Sequence, residues 1–200
     1  LVCLVGSEMC IRDSSTRAGI AVAQASAVSV KRVHQELGGK SSNIILDDVV
    51  DLEKSVKGGA GHCFLNSGQS CNAPTRMLVS SKNYDKAVEV AVQTANNTSV
   101  GDPQGEFRIG PIANKVQYEK ILKMIEIGIE EGATLVAGGI EKPDGYEKGF
   151  YIKPTVFANV TNDMTIAKEE IFGPVLSIIK YDNEDEAVEM ANDTEYVLAG

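Results

Sequence analysis

The sequence predicts an α/β domain built around a mainly parallel sheet. Short apolar strand segments alternate with helix patterns along nearly the whole chain, an order that is typical of strand–helix–strand units. Glycine accounts for 19 of the 200 residues, which exceeds the usual fraction of about 7% and indicates many tight turns. With 43% apolar and 24% charged residues, the composition is that of one globular domain or of a piece of a larger one.

Boundary residues and apolar spacing predict the helices. Ser15 is suited to cap the first helix, Asp51 the second and Ser81 the third, because a side-chain oxygen there can accept a hydrogen bond from a free backbone N–H group. Gly132 is expected to end the fourth helix. The predicted helices span residues 17–30, 52–64, 81–92, 114–131 and 183–192.

Two of these helices also carry information about their packing. Glycines in the second helix weaken it by roughly 1 kcal/mol each relative to alanine, so they indicate close approach to a neighbour. These glycines lie at positions 58, 59 and 61. In the fourth helix, apolar residues at helical spacing predict the buried face. They lie at positions 121, 122, 125 and 129.

Alternating or short apolar segments predict the strands, and turn residues separate them. Gly38 and Gly39 break the chain after the first strand, and Asn66 to Gln69 are rich in turn residues. Residues 97–111 are expected to form a loop. The predicted strands span residues 31–37, 43–46, 76–79, 134–137, 150–157 and 174–181.

Charge and composition exclude several function classes. The chain has 28 acidic and 19 basic residues, a net charge of −9, and no basic stripe, so we expect no nucleic-acid partner. The longest apolar run covers about nine residues, whereas a membrane-spanning helix needs about twenty, so we expect no membrane segment. No CxxC pair exists among the four cysteines, and neither histidine has a partner at metal-ligand spacing. We therefore expect no metal site.

The first fourteen residues, LVCLVGSEMCIRDS, differ in character from the rest of the chain. They lack an initiator methionine, a basic start and a small-residue cleavage site, so they do not form a good signal peptide. They resemble translated sequencing-adapter sequence and join abruptly to the first helix. Residues 1–14 are therefore predicted to be a non-native segment. The alternative is an ordinary buried strand followed by a loop.

Cys71 is the first candidate for a reactive, catalytic residue. It follows a helix and a polar, glycine-containing turn, where a small substrate can reach a thiol and backbone N–H groups favour the thiolate. The structural alternative is a small buried apolar residue. Cys63 lies eight residues earlier, within the apolar part of the second helix, and is expected to belong to the core.

Three further features are ambiguous when each is taken alone. Glu36 ends a strand beside a glycine turn, where a carboxylate is suited to act as a general base, but most glutamates are solvated surface residues. Ser15 opens a helix whose free N–H groups attract phosphate, although capping serines are usually structural. Glu170 and Phe172 combine a ribose-binding carboxylate with a ring that packs on flat ligands, but an ordinary acidic loop with one core phenylalanine also fits.

The order of these features is more specific than any one of them. ELGGKS at 36–41, then NSGQSC at 66–71 with Cys71 placed 35 residues after Glu36, then EEIFGP at 169–174, closely resemble the aldehyde dehydrogenase superfamily. The resemblance covers about residues 15–200. It identifies the chain as an internal fragment of a longer enzyme.

The resemblance implies a role for each matching residue. Cys71 matches the nucleophile and Glu36 the general base that activates water. The residues that match cofactor-binding positions for NAD or NADP are Ser15, Gly38, Gln117, Lys120, Glu170 and Phe172. The implied fold is an aldehyde dehydrogenase-like catalytic domain over residues 37–200, incomplete at its C-terminus, preceded by the end of a Rossmann-like cofactor domain over residues 15–36.

The implied reaction oxidises an aldehyde to a carboxylic acid through a thiohemiacetal and a thioester. Glu36 favours hydrolysis of the thioester over transfer to coenzyme A, because that acid is typically absent from the acylating branches of the family. The alternatives are an acyl-CoA-forming branch, a specialised semialdehyde dehydrogenase, and a catalytically silent structural relative. A cytoplasmic, homo-oligomeric parent enzyme is expected, and the 200-residue chain alone is expected to be inactive.

Overall fold

The helices and strands alternate along the chain in the computed structural model, which describes residues 10–13, 15–196 and 198–199. The helices are α1 Thr16–Ala27, α2 Leu52–Phe64, α3 Tyr84–Asn96, α4 Lys115–Glu130, α5 Thr165–Lys168 and α6 Glu184–Asn192. The strands are β1 Cys10–Asp13, β2 Val33–Glu36, β3 Ser42–Ile45, β4 Arg76–Ser80, β5 Thr134–Ala137, β6 Thr155–Val160 and β7 Val175–Tyr181. A tight turn, Leu65–Gly68, follows α2.

Five strands form the main sheet, in the order β3-β4-β7-β6-β5. All neighbouring pairs are parallel except β5 and β6, which are antiparallel. The prediction of an α/β fold with a mainly parallel sheet is therefore confirmed. Strands β1 and β2 pair in a separate two-stranded parallel sheet, and helix α1 connects them.

The main sheet is buried on both faces, as parallel sheets are when helices cover them. Along β4, Met77 and Val79 pack into the hydrophobic cluster that contains α2 and α3. Leu78, which lies between them, belongs to the opposite cluster with residues of α4, α5 and α6. The period of two along the strand thus divides the core into two layers.

Arg76 connects the start of β4 to the end of α6. Its side chain is 1% exposed, and its Nε donates to the backbone oxygen of Lys40 at 3.0 Å. Its two Nη groups donate to the carbonyl oxygens of Met190, at 2.8 Å, and Ala191, at 2.9 Å. A buried cation therefore satisfies carbonyl groups at the C-terminus of a helix that have no partner within the helix.

The structure confirms two predicted helix caps and corrects the third. Ser15 accepts from Ala18 N–H, and Asp51 accepts from Lys54 N–H at 2.9 Å. Ser81 does not cap α3. Its backbone N–H and its hydroxyl both donate to the Tyr181 carbonyl oxygen, which prolongs the pairing of β4 with β7, and α3 begins only at Tyr84.

Other boundary predictions were also wrong, and two of them differ most clearly from the structure. The strand expected at residues 150–157 lies at Thr155–Val160 instead. Pro154 precedes it because proline has no N–H group to donate within a sheet, and β6 is flanked by strands on both sides. The first helix ends at Ala27 rather than at residue 30.

Packing inferred from α2 and α4 was only partly right. Gly59 does pack closely, because a Cβ built there would overlap the side-chain amide of Asn43. Gly58 and Gly61, however, have nothing within 4 Å of such an atom. In α4, Ile129 is 45% exposed, and the helix turns Gly128 towards Ile166 and Phe157 instead.

The predicted non-native segment lies mostly outside the described residues, since residues 1–9 and 14 are not among them. Its described part, β1, pairs in register with β2 so that Cys10 is opposite Val33 and Asp13 opposite Glu36. The division of the chain at residue 14 stays a prediction. Within the described part of the chain, no helix combines the length and the apolar character needed to cross a membrane.

Candidate active site

One cleft of about 510 Å³ collects the residues that the sequence singled out. It lies where the N-terminus of α1, the end of β2, the chain that follows the Leu65–Gly68 turn, α4 and the segment before β7 come together. All eight predicted site residues line it, together with Leu37, Gln69 and Ser70. These eight are Ser15, Glu36, Gly38, Cys71, Gln117, Lys120, Glu170 and Phe172.

The Gly38–Gly39 turn joins three parts of this cleft. Gly39 N–H donates to Oε1 of Glu170 at 3.1 Å. A Cβ built on Gly38 would lie 2.8 Å from the carboxyl carbon of Glu170, and one built on Gly39 would overlap the carbonyl oxygen of Cys71. Only glycine at position 39 therefore allows the turn to approach the backbone at Cys71 this closely, while at Gly38 the contact is with the end of the Glu170 side chain.

A second turn places Cys71. Asn66, Ser67 and Gly68 all have positive φ, of 54°, 56° and 68°, so the chain reverses sharply after α2. A Cβ on Gly68 would overlap the carbonyl group of Gly173, which follows the segment that carries Glu170. The left-handed conformation is common only for glycine and, to a lesser degree, asparagine, which matches the turn-rich composition of this stretch.

Side-chain hydrogen bonds fix the same turn to the loop before α4. The Ser67 hydroxyl, which is buried, donates to the Gly110 carbonyl at 2.7 Å. Gln69 accepts from Ala113 N–H at 2.8 Å through its side-chain oxygen. No role was predicted for Gln69 from the sequence. Its position within the NSGQSC motif is the signal that could have indicated a role.

The two cysteines near the site have different surroundings. Cys71 is half-buried and borders the cleft. Cys63 is fully buried in α2, its thiol donates to the Val175 carbonyl over 3.6 Å, and burial raises its pKa to about 12. Because the thiolate is the nucleophilic form, Cys63 is inert at neutral pH, as expected for a core residue.

Glu36 lies at the last position of β2 and borders the cleft with its side chain 47% exposed. Its Oε1 is 3.7 Å from Nε2 of His34, which lies two residues earlier on the same face of the strand. A carboxylate with this exposure is in contact with water, which is the molecule that a general base at this position would activate.

The segment that carries Glu170 and Phe172 is held by α4. Gln117 donates through its amide nitrogen to the Ile171 carbonyl at 2.8 Å and the Phe172 carbonyl at 3.0 Å, and Lys120 donates to the Glu170 carbonyl at 2.7 Å. Phe172 has a φ of 57°, an unfavourable conformation for a residue with a side chain. These hydrogen bonds from α4 help to maintain it, so Gln117 and Lys120 brace the segment as well as lining the cleft.

The arrangement brings a thiol, two carboxylates, an aromatic ring and a helix N-terminus to one opening. Such a set can supply a nucleophile, a base and acceptors for ligand hydroxyl groups. The described residues include no cluster of three or more histidine, cysteine or acidic side chains that could hold a metal ion.

Comparison with known proteins gives concordant matches. Residues 9–200 match the model of the aldehyde dehydrogenase family. A 3-succinoylsemialdehyde-pyridine dehydrogenase of a Pseudomonas species is 51% identical over 187 residues, which are 93% of this chain and 39% of that protein.

Solved structures agree with the sequence matches. An aldehyde dehydrogenase of Pseudomonas syringae in complex with NAD+ and octanal is 52% identical and superposes with a TM-score of 0.93, over 96% of this chain and 40% of its own. One of Mycobacterium tuberculosis complexed with NAD+ is 44% identical with a TM-score of 0.92, again over 96% and 40% of the two chains. This chain thus spans about two fifths of the length of the relatives it matches.

Replacing Gly39 by alanine tests the glycine turn. We expect Gly39→Ala to lower the free energy of unfolding by about 1–3 kcal/mol, because the new methyl group must displace the Cys71 carbonyl. Gly58→Ala is the matched control, and we expect it to raise the free energy of unfolding by about 1 kcal/mol, since it adds helix propensity in open space. Urea denaturation measures both, and equal effects of the two variants would contradict the proposed contact.

Thiol labelling tests the contrast between the two cysteines. We expect iodoacetamide near neutral pH to modify Cys71 and to leave Cys63 unmodified, because burial keeps the Cys63 thiol protonated and inaccessible. Peptide mapping by mass spectrometry separates the two sites. After unfolding in denaturant both should react, and preferential labelling of Cys63 in the folded protein would contradict the assignment.

Proposed function

Because the chain belongs to the aldehyde dehydrogenase family, we propose that it is part of an NAD(P)-dependent enzyme that oxidises an aldehyde to a carboxylic acid. The observation that carries the proposal is the single cleft in which Cys71, Glu36 and Glu170 meet. Close relatives crystallised with NAD+, in one case together with octanal, support both the cofactor and the substrate class.

Cys71 is the proposed nucleophile. Its thiolate attacks the aldehyde carbonyl carbon, the carbonyl π bond breaks, and the oxygen takes up a proton to give a thiohemiacetal. Loss of hydride from that carbon, with loss of the hydroxyl proton, converts the thiohemiacetal into a thioester. A sulfur nucleophile suits both stages, because a thiolate attacks readily and also leaves readily from the thioester.

The cleft residues fit a dinucleotide cofactor. Gly38 has no side chain at the point where the turn borders the cleft, and Ser15 places the N-terminus of α1 there, where free N–H groups attract phosphate. Glu170 is proposed to accept hydrogen bonds from the nicotinamide ribose, and the Phe172 ring to pack near the nicotinamide. When bound, NAD(P)+ supplies the hydride acceptor. Gln117 and Lys120 hold the Glu170 segment in place.

Glu36 is the proposed general base for the second stage. Its carboxylate takes a proton from a water molecule as that water attacks the thioester carbonyl carbon, and the Cys71 thiolate leaves. The products are the carboxylic acid and the free enzyme. The exposure of Glu36 to solvent supports this role, since the water must reach it.

The proposed organisation follows from these roles. Residues 15–36 form the end of a cofactor-binding domain and residues 37–200 most of a catalytic domain, while residues 1–14 are proposed to be non-native. The parent enzyme is proposed to be cytoplasmic and homo-oligomeric.

A semialdehyde substrate is a second candidate, because a relative with 51% identity is a semialdehyde dehydrogenase by name. Comparing kcat/KM for octanal with that for 3-succinoylsemialdehyde-pyridine separates the two candidates.

Two variants of the full-length protein that carries this chain test the mechanism. We expect Cys71→Ser to lower the steady-state rate of NADH formation at least a thousandfold, because no thioester forms. We expect Glu36→Gln to give one NADH per active site as a burst and then to stall, because the thioester is not hydrolysed. Stopped-flow absorbance at the NADH band measures both.

Matched variants make the result specific. Cys63→Ala and Glu53→Gln change the same residue types in α2, away from the cleft, and should keep most of the activity. Unchanged steady-state turnover in Cys71→Ser or in Glu36→Gln would contradict the mechanism. Added coenzyme A should not become acylated; if it does, the reaction is acyl transfer and not hydrolysis.

The 200-residue chain by itself should form no NADH from octanal. It spans about two fifths of the length of its relatives, so the positioning of the reacting groups that such reactions need is incomplete. The same absorbance assay on the purified chain measures this, with the full-length protein as control. Aldehyde-dependent NADH formation by the chain alone would contradict the expectation.

A further inference from the structure

The side chain of Gln69 connects two segments of the cleft that are distant in sequence. Its Oε1 accepts from Ala113 N–H at 2.8 Å, and its Nε2 donates to the Pro111 carbonyl over a longer 3.4 Å. The same Nε2 donates to the Asn66 carbonyl at 3.2 Å. One backbone N–H and two backbone carbonyls therefore surround this side chain. An amide group satisfies all three, because it accepts at one end and donates at the other.

On one side, Gln69 closes the turn that precedes the reactive thiol. Its backbone N–H donates to the Asn66 carbonyl at 3.2 Å, and the Asn66 side-chain amide donates to the Gln69 carbonyl at 2.9 Å. Asn66 and Ser67 both have positive φ, which is unfavourable for residues with side chains, so these bonds help to maintain the turn. Cys71 lies two residues further along, and its position therefore depends on this turn.

On the other side, Gln69 contacts a backbone segment that is attached to the core. Ile112, which lies between the two residues that Gln69 contacts, is buried, and its N–H donates to the Phe150 carbonyl at 2.9 Å. The Ser67 hydroxyl makes a parallel contact to the same segment at the Gly110 carbonyl. Residues 110–113 thus form a fixed support for the turn.

The same support leads directly into α4, the helix that braces the cofactor side of the cleft. Asn114 follows Ala113 and caps α4 by accepting from Gln117 N–H at 2.9 Å. The Gln117 side chain then donates to the Phe172 carbonyl at 3.0 Å. A series of hydrogen bonds and short chain segments therefore runs from the turn before Cys71 to the segment that carries Phe172.

We propose that Gln69 is a positioning residue that sets the distance between the Cys71 sulfur and the nicotinamide side of the cleft. This inference rests on the roles proposed above for Cys71 and Phe172. Gln69 acts only through the backbone segments that it joins. Loss of hydride from the carbon attached to the Cys71 sulfur needs close alignment with the hydride acceptor, and a displacement of about 1 Å costs about a hundredfold in rate.

Gln69→Met in the full-length protein removes both kinds of hydrogen bond and keeps the length of the side chain. We expect the burst rate of NADH formation from octanal, measured by stopped-flow absorbance, to fall about 10–100-fold. Two other quantities should change by less than about threefold, because neither depends on the distance between the two sides. They are the dissociation constant of NAD+, measured by calorimetry, and the rate at which iodoacetamide labels Cys71 without cofactor. Gln93→Met is the control, since Gln93 bonds only to Glu89 within α3 and does not border the cleft.

Hydrogen exchange tests the contact itself in the absence of cofactor. Ala113 is exposed, so its N–H group owes its protection to the bond with Gln69. We expect this amide to exchange about tenfold faster or more in Gln69→Met and at the wild-type rate in Gln93→Met. Mass spectrometry of peptides that cover residues 110–118 measures the exchange, and equal rates in all three proteins would contradict the contact.

Gln69→Glu provides a test by rescue, which also decides the question if Gln69→Met fails to fold. A protonated carboxyl group both accepts and donates, as the amide does, whereas the ionised form only accepts and faces two carbonyl oxygens. The burst rate of Gln69→Glu, divided by that of the wild type at the same pH, should therefore rise as the pH falls from about 8 to about 5.5. The other titratable groups of the cleft titrate in both proteins and cancel in this ratio. They are Glu36, Cys71, Lys120 and Glu170.

The outcomes separate this inference from the proposed function. If the wild type forms no NADH from octanal, or Cys71→Ser keeps its turnover, the proposed function is wrong, and the role of Gln69 is overturned with it. If both behave as proposed but Gln69→Met keeps the wild-type burst rate, or the ratio for Gln69→Glu does not change with pH, only the role of Gln69 is overturned. A parallel loss of NAD+ binding and Cys71 labelling in Gln69→Met also overturns it, because Gln69 would then support the cleft as a whole.

Discussion

The cleft depends on the close approach of the backbone at Gly38 and Gly39. This turn lies against the carbonyl group of Cys71 and the carboxylate of Glu170, which are more than thirty and more than a hundred residues away in sequence. A side chain at Gly39 would displace the backbone at Cys71, whereas Gly38 lies against the end of the Glu170 side chain. The opening that holds one thiol and two carboxylates therefore depends above all on the absence of a Cβ atom at Gly39, in the turn that follows β2.

The rest of the cleft is arranged around that turn by contacts to the backbone. Gly68 lies against the Gly173 carbonyl, and Gln117 holds the carbonyls of Ile171 and Phe172. A left-handed phenylalanine costs of order 1–3 kcal/mol, which hydrogen bonds of about 1 kcal/mol each can largely offset. Backbone carbonyls do not change with side-chain rotamers, so this bracing fixes the segment before β7 more precisely than contacts between side chains would.

Local signals were sufficient for much of the fold and for the members of the cleft. The Asp51 cap defined α2, and the three motifs, each continuous in sequence, placed most of the site residues in one opening. Features that depend on neighbours distant in sequence were missed. Ser81 has the residue type of a helix cap, but its hydroxyl donates a hydrogen bond to a carbonyl of β7. Nothing in the sequence around Gly58 distinguishes its open surroundings from the close packing around Gly59. The burial of Lys40, whose backbone oxygen accepts from Arg76 of β4, likewise has no local signal in the sequence.

Cys63 and Cys71 show why residue type and spacing alone cannot assign chemistry. They are eight residues apart, and a continuous helix would place them a little over two turns from each other, on nearly the same face. The chain instead leaves the helix and takes three consecutive left-handed residues, Asn66 to Gly68, between them. That reversal keeps Cys63 in the core, where burial holds its thiol protonated, and carries Cys71 out to the cleft. The turn motif, more than either cysteine, therefore determines which thiol is available for reaction.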